Sequence, residues 1–207
     1  MTRFIAVLAA CTIAIVLGVT YFLTKGRGGD LASCGASTVA GGADQIGGPF
    51  TLVDETGTEV TSAALLTKPS LIYFGYTFCP DVCPLDAARN AEAVDMLAER
   101  GIEVQPIFIT IDPKRDTPEV LAEYTDFLHP KMIGLTGSEA QVKAASQAYR
   151  TYYKAQPAEV GQEDFYLVDH STFTYLTLPE TGFVEFFRRE VSAEAMAEKT
   201  ACFVGQS

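Results

Sequence analysis

Cys79 and Cys83 are the residues of this chain whose type and spacing best suit chemistry. They stand at positions i and i+4, after an apolar run that predicts a buried strand over 70–75 and before a pattern that predicts a helix over 85–100. Two thiols at such a turn can share one partner, which is either each other, in a disulfide, or a soft metal ion. The sequence therefore predicts a redox site or a metal site at this turn.

The spacing and the neighbouring prolines bear on that choice. Side chains at i and i+4 of a helix have Cβ atoms roughly 6 Å apart, whereas a disulfide joins Cβ atoms about 3.8 Å apart. A disulfide therefore requires the turn to bend, and a shared metal does not. Pro80 and Pro84 each restrict the cysteine before them, so we expect a stiff turn that is not regular helix through Cys79. A helix N-terminus lowers the pKa of a nearby thiol, and thiolates serve both as nucleophiles and as metal ligands.

The chain contains two histidines that a metal site would draw on. His129 ends a helical pattern, where a histidine commonly satisfies terminal carbonyl groups, and we interpret it as structural. His170 follows an apolar stretch and precedes a predicted hairpin, which places it on a loop beside the sheet. Its spacing alone leaves a structural role and a ligand role open. Two thiolates and one imidazole would suit Cu(I), and one further oxygen or nitrogen ligand would suit Cu(II).

The elements that must position these residues alternate along the chain. Apolar patterns and capping signals predict a hairpin over 48–60, strands over 70–75, 104–111, 133–136, 173–178 and 183–188, and helices over 85–100, after Thr117, over 138–149 and from Ser192. From the strand at 70–75 onward the order is β-α-β-α-β-α-β-β-α. This order predicts an α/β fold, a mixed sheet with helices on its faces.

Composition and charge narrow the class of protein. The chain has 207 residues, of which 48% are hydrophobic, and a net charge of −11. This length is enough for one medium domain with a core and an accessory segment. An acidic chain without a cluster of lysines and arginines is a poor partner for phosphate backbones, so we expect no nucleic acid to bind.

The accessory segment is at the N-terminus. Phe4–Leu23 is a run of 20 residues without a charge, which is long enough to span a bilayer as a helix. A cleaved signal peptide and a lipoprotein site at Cys11 are alternatives, but the first lacks a cleavage site and the second has too short an apolar run before it. We therefore predict a single membrane anchor over 1–24, a flexible linker rich in Gly, Ala and Ser over 25–46, and a folded domain over 47–207. The flanking charges do not settle the orientation of the anchor.

The remaining cysteines are Cys11, Cys34 and Cys202. We interpret Cys11 as a small apolar residue of the anchor. Cys34 and Cys202 are able to pair in an oxidising compartment, and the sequence leaves that pairing open.

Three segments of the chain carry a resemblance to a known family. They are Tyr73–Pro84 (YFGYTFCPDVCP), Ile109–Pro118 (ITIDPKRDTP) and Val168–Ser171 (VDHS). In sequence and in order they resemble the Sco/SenC family of copper-binding, thioredoxin-like assembly factors. The resemblance covers about residues 47–201, together with the layout of anchor and linker.

The resemblance implies a thioredoxin-like domain that binds copper through Cys79, Cys83 and His170. It also implies a copper chaperone that receives copper from a donor protein and matures the CuA centre of cytochrome c oxidase subunit II. Because no transit peptide precedes the anchor, we expect a single-pass protein of the bacterial inner membrane with its domain in the periplasm. Reduction of the oxidase cysteines by Cys79 and Cys83, and sensing of copper or redox state, are the alternatives.

Four further residues lie near these motifs. For Asp112 and Arg115 we weigh a structural turn with a surface ion pair against a role in supporting the site or docking a partner. Asp169 precedes the candidate ligand His170 and could orient its ring. Asp81, between the thiols, is either a carboxylate that stabilises the helix start or one that tunes the thiol pKa, and we favour the former.

Overall fold

The computed structural model describes residues 12–20, 31–39, 42–158, 160–161 and 164–205. The described residues up to Ala36 and those from Ser37 to Gly205 form two separate compact units. In the first unit, residues 12–20 are helical and Leu31–Cys34 form a 3-10 helix. No helix within the described ranges is both long and apolar enough to cross a bilayer. Most of the anchor predicted over 1–24 lies outside the described residues.

The second unit contains a mixed sheet of seven strands in the order β2-β1-β5-β4-β3-β8-β9, and a separate ribbon formed by β6 and β7. The strands are β1 (Thr51–Asp54), β2 (Glu59–Thr61), β3 (Ser70–Gly75), β4 (Gln105–Thr110), β5 (Ile133–Thr136), β6 (Tyr153–Ala155), β7 (Val168–His170), β8 (Thr174–Leu178) and β9 (Gly182–Phe187). The helices are α1 (Ser62–Leu65), α2 (Val82–Glu99), α3 (Pro118–Leu128), α4 (Glu139–Ala148) and α5 (Ala193–Gly205).

The centre of the sheet is parallel because helices connect its strands. β3 pairs with β4 in parallel register, with Ile72 opposite Ile107, and β4 pairs in parallel with β5. All six residues of β3 are buried, as expected of a strand that is covered on both faces. The carboxyl ends of β3 and β4 therefore meet at one edge, where the cysteine turn begins.

The predicted elements agree with the structure in most places. The hairpin over 48–60 is confirmed as β1 and β2, and Gly57 adopts a positive φ of 78° in its turn. Thr117 caps α3 by accepting a hydrogen bond from the Val120 N–H, and Ser138 and Gln141 form the predicted capping box of α4. The prediction is wrong about β6 and β7, which it does not include. It also starts α2 three residues too late, because the helix begins at Val82.

Part of the predicted linker packs against the domain. The backbone N–H of Ser37 donates to Oε2 of Glu185, a carboxylate that is 0% exposed, at 3.0 Å. Val39 and Ile46 pack against the hydrophobic core. The compact unit therefore includes the second half of the stretch that the sequence predicts to be a linker.

Candidate metal centre

The cysteine turn joins the end of β3 to the start of α2. Cys79 lies before the helix and its backbone N–H donates to the Tyr76 carbonyl, whereas Cys83 lies in the first turn of α2. The end of β3 must be glycine, because a Cβ at Gly75 would lie 2.8 Å from Cε1 of Tyr73. Both thiols are free, and both side chains are buried. As predicted, the chain is not regular helix through Cys79.

His170 reaches the cysteines from a different element. It ends β7, opposite Tyr153 in the ribbon, so it is on a short strand and not on the loop that the sequence predicts. Its Nε2 lies 3.3 Å from the Sγ of Cys83. The ligand atoms of Cys79, Cys83 and His170 all lie within 4.8 Å of one another. The structure therefore brings the three predicted site residues together.

The orientation of the His170 ring presents Nε2 to the thiols. Nδ1 lies 2.8 Å from the carbonyl oxygen of Ser171, and because a carbonyl only accepts, the proton must be on Nδ1. Nε2 is then free to act as a metal ligand. The ring also makes T-shaped contacts with Tyr73 and Tyr76, at centroid distances of 6.2 and 5.9 Å. The suggestion that Asp169 orients this ring is wrong, because its carboxylate accepts a hydrogen bond from Gln156 instead.

The two thiols differ strongly in acidity. A hydrogen bond from Cys83 is the main cause that lowers the pKa of Cys79 to about 3, and His170 and the backbone N–H of Asp81 and Cys83 add to the effect. The same hydrogen bond, together with burial, raises the pKa of the Cys83 thiol. Without a metal, Cys79 is therefore a thiolate and Cys83 a thiol. Asp81 acts here through its backbone, since its carboxylate makes no capping hydrogen bond.

A buried polar network of Tyr73, Asp86 and Arg89 supports the site, and no local pattern in the sequence indicates it. The Tyr73 hydroxyl donates to Oδ2 of Asp86 at 3.1 Å, and the Arg89 guanidinium lies 3.6 Å from the other carboxylate oxygen. Burial raises the pKa of Tyr73 and of Asp86. Asp86 lies three residues after Cys83 on the same helix, so the network anchors the first turn of α2 to β3.

A second buried carboxylate, that of Asp116, holds the cysteine turn from the side of β4. Its oxygens accept hydrogen bonds from the Thr77 N–H at 3.1 Å, the Thr77 hydroxyl at 2.7 Å and the Thr110 hydroxyl at 2.6 Å. Asp116 is 0% exposed, and burial raises its pKa. The sequence shows Asp116 only as a polar residue before a helix cap. Its role in holding the turn depends on burial, which the local pattern does not indicate.

Arg115 and Asp112 form an ion pair that is more buried than expected. The Nε of Arg115 lies 2.5 Å from Oδ2 of Asp112, and their side chains are 14% and 5% exposed. The guanidinium carbon lies 3.7 Å from the ring centroid of Tyr166 and 4.6 Å from that of Phe78. Nη1 donates to the carbonyl of Asp164 at 3.1 Å. The predicted surface pair is therefore part of the wall beside the cysteine turn.

His129 has the structural role that the sequence predicts, with different partners. It is buried at the end of α3. Its Nδ1 accepts from the Lys131 N–H at 3.1 Å, and its Nε2 lies 3.2 Å from Oδ1 of Asp95. The ring does not join the group of candidate metal ligands within the described part of the chain.

The three donors suit a soft metal ion. Metal–sulfur and metal–nitrogen bonds of about 2.0–2.3 Å place two ligands of one ion up to about 4.6 Å apart. These donor atoms lie within 4.8 Å of one another, so a small inward movement of the side chains is enough for all three to bind one ion. Two sulfurs and one imidazole are a set that favours copper. A structural zinc site would take four protein ligands, and among the described residues no fourth His, Cys, Asp or Glu joins the group.

Comparisons with known proteins agree with this geometry. The family model of SCO1/SenC matches residues 38–205. The protein SenC of Rhodobacter capsulatus is 48% identical over 204 residues, which are 98% of this chain and 90% of that protein. The copper-bound crystal structure of ScoI from Arabidopsis thaliana has a TM-score of 0.74 and 40% identity, and covers 78% of this chain and 99% of its own. Copper-bound yeast Sco1 has a TM-score of 0.73 and 42% identity, over 79% of this chain and 90% of its own.

Proposed function

The chain belongs to the SCO1/SenC family, and from this we propose that it is a membrane-anchored copper chaperone with a thioredoxin-like domain. It binds copper through Cys79, Cys83 and His170 and delivers it to the CuA centre of cytochrome c oxidase subunit II. The observation that carries the proposal is the convergence of the three donor atoms within 4.8 Å. Two similar solved structures, of Arabidopsis ScoI and of yeast Sco1, are described as having copper bound.

The acidity of the thiols suits the capture of Cu(I). The thiolate of Cys79 is ready to coordinate at neutral pH, because its pKa is about 3. Cys83 keeps its proton in the metal-free protein, since its hydrogen bond to Cys79 and its burial raise its pKa. Copper binding therefore releases a proton from Cys83. His170 supplies the third ligand through Nε2, because Nδ1 is held by the Ser171 carbonyl.

Transfer to a recipient requires the ligands to be exchanged one at a time. Cys83 is 0% exposed and Cys79 is 8% exposed, whereas His170 is on a ribbon at the outer side of the site and is only partly buried. His170 is therefore the ligand that leaves first, and a ligand of the recipient takes its place. We place the domain in the periplasm of a bacterium, with the copper donor and the oxidase at the inner membrane, in line with the bacterial relative that aligns with 98% of the chain.

The experiment is a Cu(I) titration of the reduced full-length protein and of two matched histidine variants. We expect His170→Ala to weaken Cu(I) binding by about tenfold or more, and to change the absorption of the Cu(II) form. His129→Ala removes the same group from outside the site and should bind copper like the unsubstituted protein. An unchanged affinity and spectrum for His170→Ala would refute the three-ligand site.

Reduction of a disulfide in the client is a second function that one observation favours. The Cys79 thiolate is a nucleophile with a neighbouring thiol four residues away. It would attack one sulfur of the client disulfide and form a mixed disulfide, from which the client's other sulfur leaves as a thiolate and takes up a proton. Cys83, as its thiolate, then attacks Cys79 and releases the second client thiol. The client disulfide is reduced by two electrons, and Cys79 and Cys83 are oxidised to a disulfide.

Metal-free protein separates the two functions. If reduction of a disulfide in the oxidase subunit proceeds at full rate with the metal-free His170→Ala variant, then the redox step is independent of the copper site. If the metal-free unsubstituted protein does not reduce that disulfide, then the reductase function fails and the chaperone function remains.

A further inference from the structure

The ribbon that carries His170 is outside the main sheet. Within the described residues, β6 and β7 pair only with each other. A cavity of about 440 Å³ separates the inner face of the ribbon from α4 and from the loop after β4, and Tyr153, Val168, Lys114 and Lys143 contribute to its lining. On that side the ribbon reaches the hydrophobic core only through Val168 and Tyr153. The rest of its position depends on contacts at its edge.

Arg115 makes several of those contacts, and it lies between the cysteine turn and the segment before β7. Other contacts are the hydrogen bond from the Tyr166 hydroxyl to Asp112 and the T-shaped pair of Phe78 and Phe165. Its guanidinium stacks on Phe78, which directly precedes Cys79, at 4.6 Å from the ring centroid. It also stacks on Tyr166 at 3.7 Å and donates to the Asp164 carbonyl at 3.1 Å, in the segment that leads into β7. The pair with Asp112 fixes the guanidinium on the loop after β4. One side chain thus joins the cysteine turn, the core and the segment before His170.

A second contact also joins the cysteine turn to β7. The backbone N–H of Val168 donates to the Tyr76 hydroxyl at 3.2 Å, and Tyr76 also contacts the His170 ring. Arg115 lies 5.7 Å from the centroid of Tyr76. The connection from the cysteine turn to β7 therefore passes through Tyr76, whose ring Arg115 also contacts.

We propose that Arg115 is a positioning residue that holds the histidine ribbon against the cysteine turn and so sets whether His170 completes the metal site. This inference rests on the proposed copper site, and it concerns how the third ligand is held. Loss of Arg115 leaves the thiols in place and lets the ribbon move away. Lysine cannot replace it, because a planar guanidinium both stacks on two rings and donates to two acceptors, which an ammonium group does not do.

The first test is a double-mutant cycle on Cu(I) affinity in the full-length protein. We expect Arg115→Met and Arg115→Lys each to weaken Cu(I) binding about tenfold, with loss of the nitrogen contribution to the spectrum of the Cu(II) form. Arg115→Met in the His170→Ala background should add less than about twofold, because both changes remove the same ligand. Arg100→Met is the control, since Arg100 is an exposed arginine at the opposite end of α2.

The second test needs no copper. In the metal-free protein, we expect Arg115→Met to speed hydrogen exchange of the β7 amides by about tenfold while the amides of β3 keep their protection. Additive losses of affinity in the cycle, or unchanged exchange in β7, would overturn the proposal. If His170→Ala alone leaves copper binding intact, then the proposed copper site fails, and the exchange measurement still decides whether Arg115 holds the ribbon.

Discussion

The Sγ atom of Cys83 lies 3.3 Å from Nε2 of His170, although 87 residues separate the two in the sequence. Cys83 is held by the first turn of α2, and His170 by a ribbon of two short strands. The site therefore combines one rigid half, built on the central sheet, with one half that depends on edge contacts.

The acidity of Cys79 should show in its alkylation. Because its pKa is about 3, Cys79 is a thiolate from pH 5 to 8, and its alkylation rate should change by less than about twofold between pH 5 and 7. An ordinary thiol of pKa near 9.0 would lose about 100-fold over the same two units. The rate is measured in reduced, metal-free protein by mass spectrometry of the peptide that contains Cys79.

The variant Cys83→Ala is the control for this prediction. It removes the hydrogen bond that is the main cause of the low pKa, so the rate should recover a steep dependence on pH. A flat profile in Cys83→Ala would show that the thiolate has another origin.

Asp116 should give the protein a defined pH dependence of stability. Burial raises its folded pKa above the ordinary value of 3.8, so in the window above 3.8 the native state holds a proton that the unfolded state has lost. The free energy of unfolding of the unsubstituted protein must then fall as the pH rises through this window. Asp116→Asn does not titrate. We expect it to cost about 1–3 kcal/mol near pH 4, with a smaller loss near pH 7, in urea unfolding at both values. A loss that grows with pH would contradict this sign.

Gly75 should not tolerate a methyl group. A Cβ there would lie 2.8 Å from Tyr73 and 3.0 Å from two ring atoms of Phe108, all in the core. We expect Gly75→Ala to lower the free energy of unfolding by about 1–3 kcal/mol and to weaken Cu(I) binding, because the cysteine turn starts there. Gly205→Ala, with no atom within 4 Å of the new Cβ, is the matched control. Equal stabilities of the two variants would refute the crowding.

The buried carboxylate of Glu185 should make Lys199 important for stability. Glu185 is 0% exposed, and Nζ of Lys199 lies 2.5 Å from it. Lys199→Met leaves a buried charge without its cation, and since that lysine is 30% exposed we expect a loss of about 1–3 kcal/mol in urea unfolding. Lys68→Met breaks an exposed pair with Glu103 and should leave the midpoint of urea unfolding almost unchanged. Similar losses in both variants would argue against a buried role for the pair.

Much of the fold could be predicted because its signals are local. The apolar run of β3, the cap at Thr117 and the capping box at Ser138 each depend on a few adjacent residues, and each is present in the structure. The ribbon gave no such signal. Its strands have three residues each, and β6 places only Tyr153 in a partly buried position, so no alternation of apolar and polar residues marks it.

The residues of the site also differ in how far the sequence could predict them. Residue type and spacing were enough to select Cys79 and Cys83, but His170 could be chosen as a ligand only through the family resemblance. Asp116 and Arg115 were visible as turn and ion-pair residues. Their contacts with the cysteine turn depend on burial by β4 and by the segment before β7. The order of residues along the chain does not indicate which distant segments come into contact.

The separation of the ribbon from the main sheet has a consequence for protein engineering. The register of Tyr73 with Phe108 and with Thr174 is set by strands that the ribbon does not join. The described residues of 152–167 are exposed or partly buried, so this segment and the ligand at position 170 can be exchanged while Tyr149 and Val168 stay in the core and the thiol pair stays on its scaffold. A designer who wants a different third ligand, and with it a different metal preference, needs to rebuild one surface segment and the contacts that Arg115 makes to it.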